Sequence, residues 1–166
     1  MGLTTRWWIM NNSIKKGFSF GLASGIITTL GLMVGLYSST HSVLVVISGI
    51  IMIAVADSLS DALGIHFSEE FENKHTTKEI WSATCSTFLS KFVFATLFII
   101  PLLLFSLTIA IIVNVIWGLL VIISFSYYMA IQQKKSPYTI VIEHVAIAIF
   151  VIIATHFIGN LVAILV

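Results

Sequence analysis

A chain of 166 residues that is 58% hydrophobic and only 9% charged is too apolar for a soluble domain of its size and too polar at its ends for a single anchor. Its formal net charge of +1 comes from few, scattered cations, which excludes a nucleic-acid partner. The single Cys85 excludes an intrachain disulfide and reads as a small residue packed within its helix.

The first sixteen residues carry Arg6, Trp7, Trp8, Ile9 and Met10 ahead of Lys15 and Lys16. That pattern predicts a segment over 1–16 lying in the membrane interface. Residues 17–166 then hold five apolar runs of spanning length: Gly17 to Tyr37, Ser42 to Ile65, Ala83 to Phe105, Leu107 to Ala130 and Tyr138 to Val166, each near the roughly 20 residues that a bilayer requires. The expected fold is therefore all-α, a polytopic membrane protein with five transmembrane helices. No Ala-x-Ala cleavage site follows the first run, so it is read as a retained helix. With the N-terminus inside, Arg6, Lys15, Lys16, Lys74, Lys78, Lys134 and Lys135 all fall on the cytoplasmic side, and Lys91 is placed near the inner end of the third helix. This asymmetry predicts an N-in, C-out topology.

In the first helix Gly17, Gly21 and Gly25 form two overlapping G-x-x-x-G steps. Such spacing lets helix backbones approach closely, so the helix is expected to be central or to form the seam of a homodimer. In the second helix, Asp57, Ser60, Asp61, Gly64, Ser68 and Glu72 share an arc of about 100°. The stripe crosses the membrane boundary, which predicts one helix from Ser42 to Glu72, about 45 Å long at 1.5 Å per residue. Apart from Glu143, every acidic residue lies between Asp57 and Glu79. The short cytoplasmic segment 67–82 is thus acidic, with Glu69, Glu70, Glu72 and Glu79 beside His75. Pro101 predicts a kink or early stop near the outer end of the third helix. The fifth helix adds Glu143 and His144 near its inner end, and His156 with Asn160 further out, read either as an exit ligand or as a packed, hydrogen-bonded histidine.

Asp57 and Asp61 are the leading candidates for function. An aspartate near the middle of a spanning helix costs roughly 2.5–3.5 kcal/mol, so two on one face require protein, water or a cation. They are expected to ligate a divalent cation with hard oxygen atoms, or to share a proton. Glu69, Glu70, Glu72 and His75 are expected to gather metal at the inner mouth. No Walker loop, Rossmann glycine pattern, nucleophile elbow or paired-cysteine site is present, and the Asp pair lacks an intramembrane protease motif such as Gly-x-Gly-Asp. No enzyme is expected.

The run Ser24-Gly-Ile-Ile-Thr-Thr-Leu-Gly-Leu-Met-Val-Gly-Leu36 resembles the first-helix signature of the vacuolar iron transporter family. Ala56-Asp-Ser-Leu-Ser-Asp-Ala-Leu-Gly-Ile-His-Phe-Ser68 is similar to that family's Ala-Gly-Ala-x-Ser-Met-Ala-x-Gly-Glu-x-x-Ser. The resemblance implies a homodimer in the lipid bilayer that exports Fe²⁺ or Mn²⁺ from the cytosol in exchange for protons, with no permanently bound cofactor. It places the path at the dimer interface, lined by the first two helices. Met33 is expected among the metal ligands with Asp57 and Asp61, and Ser24, Thr28 and Ser60 along the transport path, with Glu143 and His144 either on that path or snorkelling to the inner interface. The chain departs from the pattern at Ser24, where the family has Asp, at Asp61, where it has Met, and at Ile65, where it has Glu. The large cytoplasmic metal-binding domain is reduced to the acidic segment. Replacing Met by Asp hardens the site and favours Mn²⁺. A prokaryotic cell membrane is the expected location, with a vacuolar membrane as the alternative. A non-transporting adaptor that docks a partner through the acidic segment is the rival reading.

Overall fold

The computed structural model describes residues 12–165; Arg6 to Met10 of the expected interfacial segment, and Val166, lie outside them. Helix α1 spans Asn12–Thr40, α2 Val43–Glu72, α3 Thr77–Leu97, α4 Ile99–Leu104, α5 Leu107–Gln132 and α6 Pro137–Leu165. Among the described residues no strand occurs. Counting α3 and α4 as one span, five helices are long and apolar enough to cross a membrane. In a solvent without water a helix is the economical choice, because it satisfies its own backbone groups.

The helix ends follow local chemistry. Residues 12–16 belong to α1 rather than to a separate segment, which puts Lys15 and Lys16 on its first turns. The second helix runs unbroken to Glu72, as its polar stripe requires. The third starts at Thr77, six residues before the expected Ala83. The cause is a capping box: the Glu79 carboxylate accepts from the Thr76 backbone N–H at 2.9 Å and from its hydroxyl at 2.8 Å, while the Glu79 N–H points back to Thr76 Oγ1 at 3.4 Å. Glu79 is therefore a helix-starting residue. At the end of α5, Lys134 adopts a left-handed φ of 56°. Its N–H bonds to the Ile131 carbonyl and that of Lys135 to Ala130, which is a Schellman closure. Pro137 then opens α6 where its missing N–H costs nothing.

Pro101 breaks the third span as its ring predicts, since it clashes with the carbonyl four residues earlier, at Leu97, where α3 ends. The fully buried Asn114 of α5 packs against the break, its Nδ2 donating to the Phe98 carbonyl oxygen at 2.9 Å. The same amide lies 3.3 Å from Met33 Sδ, and Trp117 packs edge-on against the Phe98 ring at 5.0 Å.

Contacts divide the chain into two compact units. The first comprises residues 12–25 and Met52–Ala95 of the described chain; the second comprises Ile26–Ile51 and the chain from Thr96 onward. In the first unit the glycine face of α1 lies against α3. A Cβ at Gly21 would stand 2.5 Å from the Thr87 carbonyl oxygen, and one at Gly17 would overlap the Ala83 backbone. Gly17, Gly21 and Gly25 are thus occupied within the chain, which corrects the expectation that they form a homodimer seam; the central-helix alternative describes them. Small residues meet them from α3, where Ala83, Thr87 and Ser90 are buried. Cys85, expected inside, is exposed.

In the second unit Ile26, Leu30, Met33 and Val34 of α1 are buried, as are Val46, Ile50, Phe98 and Leu102. Gly118 of α5 leaves room for Leu30, and Gly159 of α6 for the backbone of Gly35. Helix α6 exposes Ile142, Phe150, Phe157, Leu161 and Ile164 and buries only Ala148 and Gly159.

Two substitutions test this packing. Asn114→Leu leaves the Phe98 carbonyl without its donor and is expected to cost about 1–3 kcal/mol, measured as a lowered thermal unfolding midpoint in detergent; an unchanged midpoint would show that the carbonyl finds another partner. Gly21→Leu forces α1 off α3 and is expected to destabilise by at least about 1–3 kcal/mol in the same assay, with wild-type stability placing the helix contact elsewhere.

Candidate functional site

The period of α2 places Asp57 and Asp61 one turn apart on one face. Within the first unit α3 brings Lys91 to that face and α1 brings Ser24. The Lys91 side chain is 1% exposed, against 30% for Asp57 and 21% for Asp61. Its ammonium lies 2.5 Å from Asp57 Oδ2, pairs closely with Asp61 Oδ2, and donates to Ser24 Oγ at 2.8 Å. The Ser24 hydroxyl in turn donates to Asp61 Oδ2 at 2.7 Å. Asp61 Oδ2 therefore receives two donors. Asp57 Oδ2 is close enough to pair with the ammonium but makes no aligned hydrogen bond.

Gly25 makes the approach feasible. A Cβ there would stand 3.2 Å from Lys91 Cγ and 3.0 Å from its carbonyl oxygen, so the lysine stem lies against bare α1 backbone. Asp57, Asp61 and Lys91 carry a formal charge of −1 when all three are ionised. Desolvating an ammonium costs several kcal/mol, which hydrogen bonds to Asp61 and Ser24 and the charge of Asp57 offset.

Lys91 is the residue that sequence reasoning misplaced. It lies ten positions beyond Trp81, about 15 Å along the helix, well inside the span rather than at its inner end. The signal was present: it is the sole charged residue between Ala83 and Phe105, and an ionisable group within a spanning run marks function by default. Its ammonium occupies the position between Asp57 and Asp61 where a metal ion was expected.

The acidic end of α2 is similarly arranged. Glu69, which is 1% exposed, pairs with Lys16, and Lys16 Nζ also donates to Glu72 Oε1 at 3.3 Å. His75 Nε2 lies 3.5 Å from Glu69 and 3.4 Å from Glu72. Glu70 turns elsewhere, to His66 Nε2 at 3.5 Å. His66 Nδ1 lies 2.9 Å from Thr84 Oγ1, which is itself 2.8 Å from the Ile80 carbonyl oxygen. The four residues expected to gather metal are thus divided between Lys16, His75 and His66. Among the described residues no three His, Cys, Asp or Glu side chains converge as a metal would require.

Ser60 is exposed on α2. Met33 and Thr28 belong to the second unit, where the Met33 thioether is committed to Asn114. His144 Nδ1 lies 2.7 Å from Ser126 Oγ and Glu143 is exposed. His156 is bonded on both ring nitrogens, to Ser38 at 2.7 Å and Asn160 at 3.1 Å, and so is a satisfied histidine.

Comparison with family models, with curated proteins and with solved structures gives no match. The resemblance to the vacuolar iron transporters rests on the motifs of the first two helices alone.

The hydrogen-bond asymmetry of the two carboxylates is measurable. Asp61→Ala is expected to destabilise the protein by about 1 kcal/mol more than Asp57→Ala, because only Asp61 accepts the Ser24 hydroxyl. Equal unfolding midpoints for the two variants in detergent would remove Ser24 from the cluster.

Proposed function

We propose that the protein is a membrane cation transporter whose ion-handling site is the cluster of Asp57, Asp61, Lys91 and Ser24. The observation that carries this reading is a buried lysine ammonium held between two carboxylates, on helices of membrane-spanning length and apolarity. A buried ion pair is a poor way to stabilise a bundle, since well-packed apolar side chains of similar volume do as well or better. In hydrocarbon the same groups mark ion and proton paths.

The cargo class follows from the donors. Carboxylate and hydroxyl oxygen atoms suit a hard cation, so of the two metals implied by the first-helix and second-helix motifs Mn²⁺ is favoured over Fe²⁺. Proton coupling of cation movement is part of the proposal, supported by the resemblance of the first two helices. The topology is N-in, C-out, with Lys15, Lys74, Lys78, Lys134 and Lys135 on the cytoplasmic side, and the host membrane is a prokaryotic cell membrane. The rival adaptor reading is weakened by the acidic segment, whose Glu69 and Glu72 are engaged by Lys16 and His75 rather than free to dock a partner.

The test is uptake of Mn²⁺ and Fe²⁺ into liposomes carrying the purified protein under an imposed pH gradient. Flux that depends on the gradient and disappears in the double variant Asp57→Ala, Asp61→Ala is expected. Absence of flux with either ion, from wild-type protein shown to be folded, would overturn the proposal.

A further inference from the structure

We infer that Lys91 is a tethered cation that competes with the cargo for Asp57 and Asp61, and that it determines which cations the site accepts. The inference rests on the reading of this cluster as a cation site, and it assigns the lysine a role that a fixed ion pair would not have.

The geometry separates two approaches to the carboxylates. Lys91 reaches them from the protein interior, with its side chain 1% exposed and its stem laid along Gly25. The carboxylates remain 30% and 21% exposed on the other side. There α2 presents the exposed Ser60 and Gly64, and a Cβ at Gly64 would meet nothing within 4 Å. A cation arriving on that face finds the inward oxygen atoms, Asp57 Oδ2 and Asp61 Oδ2, already held by the ammonium. Bridging those oxygen atoms from outside brings two positive charges against each other where water screens little.

Charge then discriminates between cargoes. With the ammonium in place the cluster carries a formal charge of −1, which one monovalent cation neutralises. A divalent cation reaches neutrality only when the ammonium withdraws and both carboxylates face the ion. Divalent binding therefore requires displacement of Lys91, and monovalent binding does not. Lysine suits this exchange better than arginine, being a compact point charge on a flexible stem without a planar fork that locks onto carboxylate.

The competition is read by isothermal titration of detergent-solubilised protein with Mn²⁺. Lys91→Met is expected to bind Mn²⁺ about tenfold more tightly than wild type, a shift within the usual range for coupling between two ligands of one site. Lys91→Gln supplies the second variant if methionine fails to fold, because its amide keeps a donor toward Ser24 without the charge, and the same direction is expected. In Lys91→Ala, ethylammonium chloride is expected to weaken Mn²⁺ binding by occupying the vacated position, while leaving wild type unchanged. Mn²⁺ affinity equal to or weaker than wild type in folded Lys91→Met or Lys91→Gln would overturn the competition, as would indifference of Lys91→Ala to ethylammonium. Liposome flux in wild type together with unchanged affinity in these variants rejects only the tethered-cation role. Tighter, ethylammonium-sensitive binding without any wild-type flux keeps that role and rejects transport.

Discussion

An ammonium group cannot remain charged inside an apolar helix bundle unless oxygen atoms surround it, and the first unit is organised around that requirement for Lys91. Asp57 and Asp61 come from α2 and Ser24 from α1, all directed at one side chain of α3. The helices must be close for this to happen. Closeness is supplied by Gly17, Gly21 and Gly25 on α1 and by Ala83, Thr87 and Ser90 on α3, so the small residues and the charged ones belong to one design. Gly25 accommodates the lysine stem, while Gly17 and Gly21 admit the backbone of α3 at Ala83 and Thr87. The lysine in turn could not reach its partners across wider side chains.

The same economy of polar groups recurs in the second unit. There a buried asparagine on the next helix donates to the Phe98 carbonyl beside the break made by Pro101. His156 and His144 are satisfied by serines of other helices. At the C-terminal end of α2, Lys16 and His75 do for Glu69 and Glu72 what Lys91 does for the aspartates. Wherever an anion was expected to await a metal, a basic side chain of the same chain already stands beside it.

How far the sequence discloses this structure depends on the range of the interaction concerned. Apolar length alone locates all five spans, because hydrocarbon thickness and helix rise leave little choice. Local signals account for the Pro101 break and for the unbroken run of α2 to Glu72. The capping box at Thr76 and Glu79 was also legible, and reading Glu79 as a recruiting carboxylate hid it. Asp57 and Asp61 stand out on the helix period. Their partner does not, because Lys91 is thirty residues further on and nothing local says which way a lysine in a spanning helix points. Counting basic residues for topology drew it toward the membrane surface, although its depth in the run argued otherwise. The glycine motif was ambiguous for a related reason: spacing shows that a backbone comes close, and only the fold shows whose.

The capping box that starts α3 also bears on how such a chain enters a bilayer. Only the four residues 73–76 separate α2 from α3, and each helix carries charge that the other neutralises. Released singly into lipid, α2 would carry two carboxylates without a cation and α3 an ammonium without an anion. Entering together, Asp57, Asp61 and Lys91 carry a formal charge of −1 between them, with Ser24 of the preceding helix already present. The turn between them, fixed by Thr76 and Glu79 and by the left-handed Asn73, makes the hairpin rather than the single helix the smallest unit in which these opposite charges are paired.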